Sequence, residues 1–314
     1  MNTRPIALQM CPFSADLEAE LARRFEIHRW FGMDDAARHG LLREHAAGIR
    51  AVVTSGSVGC PEDLMLALPA LGVIAINGVG LDKVNLELAR QRGIAVGTTP
   101  GTLSEDVADL AVGLTIALLR DIPASDAHVR AGAWLRGERP LGRKVTGRRF
   151  GILGLGQIGH AIALRLSPFG PVCWSGPRPK AVPWDYHADV LSLARACDVL
   201  VVACPANGAT RHLVNATVID ALGPRGYLVN ISRGAVVDET ALAEALAGGR
   251  LAGAALDVFV NEPHVPGSLI RLPNTVLTPH VASATHETRQ RMAELVLANL
   301  DAFLQGRPLP ATPF

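Results

Sequence analysis

Short apolar runs alternate with stretches of helical apolar periodicity along most of this 314-residue chain. Ile6–Leu8, Phe25–Ile27, Ala51–Val53, Val73–Ile76 and Ile94–Val96 read as strands, with helices between them at 15–24, 61–68 and 85–92. Strands that alternate with helices imply a parallel sheet, so residues 1–99 are expected to form a small α/β domain. The alternation returns late in the chain. Val199–Cys204, Tyr227–Ile231, Ala254–Val258 and Thr275–Leu277 read as strands, and 216–222 and 239–247 as helices. A last helix is expected over 287–303, with Met292, Leu295, Val296 and Leu300 on its apolar face.

The middle of the chain breaks this rhythm. Thr99-Pro100-Gly101 ends the first pattern, and Thr102-x-x-Glu105 is a capping-box signature for a new helix. Val107, Leu110, Ala111, Leu114 and Leu118 form its apolar face. A polar, Gly- and Arg-rich arm containing Trp134 runs from Asp121 to Gly147 and reads as an interface segment rather than packed core. These breaks predict an inserted layout: 1–99 and 286–314 as one domain, 100–285 as the other.

The strongest local signal lies between Arg148 and Ser175. The apolar run Phe150–Leu153 leads into Gly154-Leu155-Gly156-Gln157-Ile158-Gly159, followed by a helical pattern and a second apolar run, Val172–Trp174. In a strand–turn–helix–strand unit, the first glycine permits the tight turn and the second lets backbone approach a pyrophosphate. The third lets helix and strand pack closely. The helix start, with free N–H groups and a positive dipole end, holds the phosphates. An NAD-binding protein usually carries an acid about twenty residues beyond the first glycine. Here that place reads Ser175-Gly176-Pro177-Arg178-Pro179-Lys180, with no acid before Asp185. Ser, Arg and Lys bind a 2′-phosphate that a carboxylate would repel, which favours NADP(H) and leaves NAD(H) open.

Composition narrows the setting. The chain is 49% hydrophobic and 19% charged with a net charge of +1, so it shows no general attraction to nucleic acid or membrane surfaces. The amino-terminal apolar run after Met1–Pro5 is too short for a signal peptide, and Leu110–Leu119 is too short to span a bilayer. The five cysteines, without a C-x-x-C pair, read as reduced thiols of a cytoplasmic protein, and no motif suggests a metal site.

Three ionisable residues directly follow expected strands of the second domain: Arg233, Glu262 and His280. Carboxyl ends of parallel strands converge on the ligand crevice. Reduction of a 2-oxo acid needs a cation for the carboxylate and an acid for the carbonyl oxygen. Arginine grips a carboxylate in bidentate fashion, histidine titrates near neutrality, and a neighbouring glutamate orients the ring. In the first domain, the Gly-rich turns at Val58-Gly59 and Val79-Gly80 have backbone N–H groups suited to a carboxylate, although plain strand-to-helix turns look the same in sequence.

The chain resembles the D-2-hydroxyacid dehydrogenases, nearest the hydroxypyruvate/glyoxylate and hydroxyphenylpyruvate reductases. The likeness is carried by Val79–Lys83, Glu105–Ala111, Gly154–Gly159, Val202–Pro205, Asn230–Gly234, Leu256–Phe259 and Thr278–Val281. It implies two Rossmann-like α/β domains, the dinucleotide-binding one inserted into the substrate-binding one. It makes His280 the acid/base, Glu262 its partner and Arg233 the substrate anchor, with the Val58-Gly59 and Val79-Gly80 amides on the substrate carboxylate. Val107, Cys204, Pro205 and Ile231 would line the nicotinamide side, with Asp257 near the carboxamide. Thr210, Ser232 and Ser283 are further coenzyme positions by the same likeness. It also implies a homodimer joined through the 121–147 arm, with Trp134 reaching the neighbouring substrate pocket or else buried within the arm. Two departures are visible. Gly176 stands where NADP-using members commonly have arginine, and the chain ends at Phe314 with no regulatory domain of the phosphoglycerate dehydrogenase kind. The expected activity is NADPH-dependent reduction of hydroxypyruvate, glyoxylate and aryl pyruvates to D-2-hydroxy acids. The competing readings are an NAD-dependent member of other specificity and a dinucleotide-sensing, corepressor-like binding protein.

Overall fold

The computed structural model describes residues 4–313, so Met1–Thr3 of the amino-terminal run and the terminal Phe314 lie outside the described residues. The chain is an α/β protein with two parallel sheets in two compact units. Residues up to Leu103 and from Thr285 onward make the first unit, and Ser104–Ala284 the second.

The first unit contains β1 (Ile6–Gln9), β2 (Glu26–Arg29), β3 (Ile49–Ser55), β4 (Val73–Asn77) and β5 (Ala95–Gly97). Their order, β2-β1-β3-β4-β5, is the flavodoxin-like one. A central strand covered on both faces must be apolar throughout, and Val73–Ile76 is fully buried. The Ala15–Arg24 helix opens at Ser14, whose side chain accepts from the Leu17 amide, and it buries Leu17 and Leu21. The Asp35–His45 helix was not legible in the sequence. It has no fully buried residue, so its apolar stripe is weak.

The last helix, His286–Leu304, belongs to this unit and adds Val296 and Leu300 to the core around Leu17, Leu21, Phe25 and Ala75. Buried Asn299 fixes its far end: Nδ2 donates to Thr98 O (3.2 Å) and Oδ1 accepts from the Ala311 amide (3.1 Å). Arg24 and Asp301 add an ion pair at 2.7 Å.

The second unit contains β6 (Phe150–Leu153), β7 (Val172–Ser175), β8 (Asp185–His187), β9 (Val199–Val202), β10 (Tyr227–Asn230), β11 (Gly253–Leu256) and β12 (Thr275–Leu277). The order β12-β11-β10-β9-β6-β7-β8 is the dinucleotide-binding order 3-2-1-4-5-6 with one more strand at its far edge. The direction of winding reverses between β6 and β9, which are hydrogen-bonded neighbours. In open α/β sheets ligands bind at such a point, beyond the strand ends. Edge strand β8, Asp-Tyr-His, has no apolar run and was missed in the sequence.

Two local expectations are corrected. The helix after Thr99–Gly101 spans Ser104–Arg120, so it begins two residues later than the Thr102 signature, and the Thr102 hydroxyl donates to Thr99 O at 2.8 Å. The 121–147 arm contains a helix, Ile122–Arg130, and a 3-10 turn, Ala133–Arg136. Trp134 in that turn is 67% exposed, and Leu135 and Leu141 more so, which removes the reading of Trp134 as buried in the arm.

Asn299→Ala leaves the Thr98 carbonyl and the Ala311 amide unpaired in a buried site. It should lower unfolding stability by about 2–3 kcal/mol, read as a lower urea midpoint at unchanged slope.

Candidate active site

The turn after β6 needs glycine at two of its positions. Gly154 has φ +96°, and a Cβ there would lie 2.6 Å from Cys204 backbone; one on Gly159 would lie 2.0 Å from Gly154 O. Gly156 precedes the Gln157–Leu166 helix without any side-chain cap, so the first N–H groups of that helix are open to an anion. Gln157 and Ile158 supply two of those amides, with Leu155 buried beneath the turn. The arrangement fits a dinucleotide pyrophosphate.

Beyond β7, Ser175 is buried and its carbonyl accepts the Gly154 amide at 2.8 Å, tying strand end to glycine turn. Gly176 O accepts from Tyr186 Oη at 3.0 Å. A Cβ on Gly176 would sit 3.2 Å from the Trp174 ring, a physical reason for glycine at this position. The two cations are placed differently. Both are exposed, but Lys180 Nζ donates to Leu155 O at 2.6 Å and so stands against the glycine turn itself.

Val107, Ile231 and Cys204 are buried, and burial pushes the Cys204 thiol up to about 11, which keeps it neutral. Pro205 O accepts from Thr210 Oγ1 (2.7 Å), which also accepts from the Asn207 amide (2.8 Å), so this hydroxyl closes a local turn. Ser232 Oγ donates to Asn230 Oδ1 at 3.1 Å.

The ionisable residues at the strand ends are organised by Asp257, which directly follows β11 and is fully buried. Its Oδ1 accepts from Thr278 Oγ1 (2.6 Å) and the Val281 amide (2.9 Å), and its Oδ2 from the Ala282 amide (3.0 Å). The His280 amide donates to Asp257 O at 2.8 Å. These bonds hold His280 at φ +53°, a left-handed conformation that a non-glycine residue adopts only when its surroundings enforce it. Half-buried Ser283 follows this pinned segment.

His280 Nδ1 lies 2.7 Å from Glu262 Oε2, while Glu262 Oε1 accepts from the Phe259 amide at 3.0 Å. Burial works against the Glu262 charge. The His280 hydrogen bond, the Phe259 amide and the charges of His280 and Arg233 outweigh it, and the carboxyl lies below its ordinary value. Arg233 follows β10 with its carbonyl held by Asn230 Nδ2 (3.0 Å) and its Nη1 on Ser232 O (2.8 Å). The structure thus brings Arg233, Glu262 and His280 into one electrostatic cluster. Asp257 acts in it as a backbone anchor, a role that its position in the sequence did not reveal.

In the first unit, the Gly59 amide donates to Ser55 O (2.9 Å) and the Val58 amide to Ser55 Oγ (3.3 Å), so both already have partners. A Cβ on Gly56 would lie 3.2 Å from Gly80 backbone, so the two Gly-rich turns abut. Val79 is partly exposed.

Among the described residues, no cluster of three or more His, Cys, Asp or Glu is arranged to hold a metal ion. No helix among them is long and apolar enough to cross a membrane.

Residues 112–282 match the model of the D-isomer specific 2-hydroxyacid dehydrogenase NAD-binding domain. Over 304 residues the chain is 48% identical to glyoxylate/hydroxypyruvate reductase A of Arabidopsis thaliana, covering 96% of each chain. It is 47% identical to hydroxyphenylpyruvate reductase of Plectranthus scutellarioides, again over 96% of each. The NADPH-dependent glyoxylate/hydroxypyruvate reductase of Sinorhizobium meliloti, solved with NADP and malonate, superposes with a TM-score of 0.92. It is 40% identical, with 99% of this chain and 97% of that chain covered. The chain belongs to the D-isomer specific 2-hydroxyacid dehydrogenase family and is an oxidoreductase. Full-length likeness to reductases sets aside the corepressor-like reading.

Gly159→Ala forces a methyl group onto the Gly154 carbonyl. Dinucleotide affinity should fall at least tenfold, measured by quenching of intrinsic tryptophan fluorescence.

Proposed function

We propose that this enzyme reduces small 2-oxo acids to D-2-hydroxy acids with a preference for NADPH. Hydroxypyruvate and glyoxylate are the foremost substrates, and aryl pyruvates are further ones. The observation that carries the reading is the His280–Glu262 hydrogen bond of 2.7 Å at the strand ends, with Arg233 acting on the same carboxylate. Reductases of glyoxylate, hydroxypyruvate and hydroxyphenylpyruvate among the relatives support the substrate class, and the Sinorhizobium enzyme supports the coenzyme.

Reduced nicotinamide, when bound, supplies hydride to C2 of the substrate. The protein supplies the rest. Arg233 takes the substrate carboxylate in a charge-assisted grip and polarises the adjacent carbonyl. With Nδ1 held by Glu262, the imidazole presents Nε2 to the carbonyl oxygen and gives up its proton there. Glu262 stabilises the imidazolium before transfer and fixes the ring plane. Arg178 is the proposed partner of a 2′-phosphate, supported by its exposure, by the absence of an acid before Asp185, and by the engagement of Lys180 with Leu155 O. We further place the enzyme in the cytoplasm as a homodimer built through the exposed Trp134, Leu135 and Leu141 of the arm. The five unpaired cysteines and that apolar surface support this placement.

Turnover followed by coenzyme absorbance with hydroxypyruvate should run faster with NADPH than with NADH. Arg178→Ala should reduce that preference about tenfold through KM for NADPH, with NADH kinetics little changed. Faster turnover with NADH in the unaltered enzyme would overturn the coenzyme preference. His280→Ala should lower kcat by about a thousandfold or more with both coenzymes. Because the Glu262 carboxyl lies below its ordinary 4.5, the Glu262–His280 pair is complete above that pH and is lost only as pH falls through the lower folded value. An acid limb of kcat/KM that Glu262→Gln abolishes should therefore fall below pH 4.5.

A further inference from the structure

The loop that carries Glu262 is held by two carboxylates on consecutive amides. Phe259 N–H donates to Glu262 Oε1 at 3.0 Å, and Val260 N–H donates to Glu239 Oε1 at 2.7 Å. Glu239 is the first residue of the Glu239–Ala247 helix, which Asp238 caps through the Thr240 and Ala241 amides. The capping role is thus filled by Asp238, and the Glu239 side chain is turned to the loop instead. The same stretch is packed closely underneath: a Cβ on Gly234, next to Arg233, would lie 2.1 Å from Phe259 backbone. Arg233, Glu239, the 259–260 backbone and Glu262 therefore form one contiguous set.

We propose that Glu239 is a positioning residue of the active site: it anchors the 259–260 backbone that presents Glu262 and places a second carboxylate charge behind the Glu262–His280 pair. This inference rests on the reading of that pair as the proton-transfer machinery. The charged group acting on Glu239 is Glu262, and those acting most strongly on Glu262 are His280 and Arg233. Burial raises the Glu239 carboxyl, its Val260 hydrogen bond opposes this, and the Glu262 charge raises it further. Glu262 is shifted the opposite way. Two neighbouring carboxyls displaced apart titrate in order. As the solution is acidified, Glu239 takes the first proton while Glu262 remains ionised against His280. Once the pH has risen past the Glu239 titration both are charged, and the field behind the pair is at its most negative.

The order of titration gives a test that a merely structural glutamate would fail. E239Q retains an oxygen for the Val260 amide and removes the charge, so it mimics the protonated state. Its kcat/KM profile should join that of the unaltered enzyme at acid pH and diverge from it by about two- to fivefold toward neutrality. E239A, which also frees the Val260 amide, should lower kcat about tenfold with KM for NADPH within twofold. In protein labelled with 13C-glutamate, one carboxyl titrating above the ordinary 4.5 should vanish in E239Q and move down in E262Q. Profiles that stay parallel at every pH, or a Glu239 titration that E262Q does not move, would overturn the proposal. His280→Ala separates the two levels. If it leaves turnover intact the proton-transfer reading fails, while the carboxyl titrations still decide whether Glu239 and Glu262 are coupled.

Discussion

A buried carboxylate at the end of a strand sets the geometry of this active site. Asp257 has no solvent exposure, and a charge so placed is tolerable only when both its oxygens are hydrogen-bonded. The partners come from a single short segment, the Thr278 hydroxyl and the Val281 and Ala282 amides. Satisfying Asp257 therefore folds that segment tightly round it, and His280 in the middle is driven into a left-handed backbone conformation. The strain is local, of the order of 1–3 kcal/mol, and is offset by charge-assisted hydrogen bonds that no other backbone path would make. The result is an imidazole whose direction is decided before any substrate arrives.

The same logic runs along the row of strand ends. Parallel strands β10, β11 and β12 stop in register, so the residues following them emerge on one side of the sheet. Arg233, Asp257 and His280 are the first charged or ionisable residues after those ends, and Glu262 comes from the loop between β11 and β12. On the other side of the winding reversal, β6 ends in the glycine turn and β7 in Ser175. One topological feature thus sets the glycine turn and the Glu262–His280 pair along the same edge, and the identity of each side chain decides the chemistry open to it.

What the sequence revealed follows from where the signal was strong. Fully buried strands such as Val73–Ile76 and Val199–Val202 are apolar runs that only a covered parallel sheet explains, and the helices at 15–24, 216–222 and 239–247 were legible to the residue. The Asp35–His45 helix and strand β8 were not, because neither buries a continuous apolar face. The capping box at Thr102 misled for another reason. The helix begins only at Ser104, and Thr102 lies in the turn before it, where its hydroxyl donates to Thr99 O. In the site, strand-end position was enough to single out Arg233, Glu262 and His280. It did not show which residues hold backbone: Asp257 was named only for a place near the carboxamide, and Glu239, at a helix start, was not named. Glu239 looked like an ordinary acidic residue in a first helical turn, which dipole arguments alone would explain.

Lys180 shows why charge in a sequence is weaker information than charge in a structure. Arg178 and Lys180 are two residues apart and read equally well as ligands for a 2′-phosphate. One of them is bound to the carbonyl of Leu155. An ammonium keeps two further N–H groups after one such bond, so Lys180 adds positive potential to the glycine turn and braces its backbone. Arg178 is exposed, and it is the group proposed to meet a 2′-phosphate, whose oxygens a planar guanidinium can bind in bidentate fashion. Gly176 fits this division: a side chain there would meet Trp174, so the cation is displaced along the turn. Tyr186, bonded to the Gly176 carbonyl, fixes the start of the turn that carries Arg178. The Ser175–Lys180 turn is thus held at its start by Tyr186 and at its end by the Lys180–Leu155 bond.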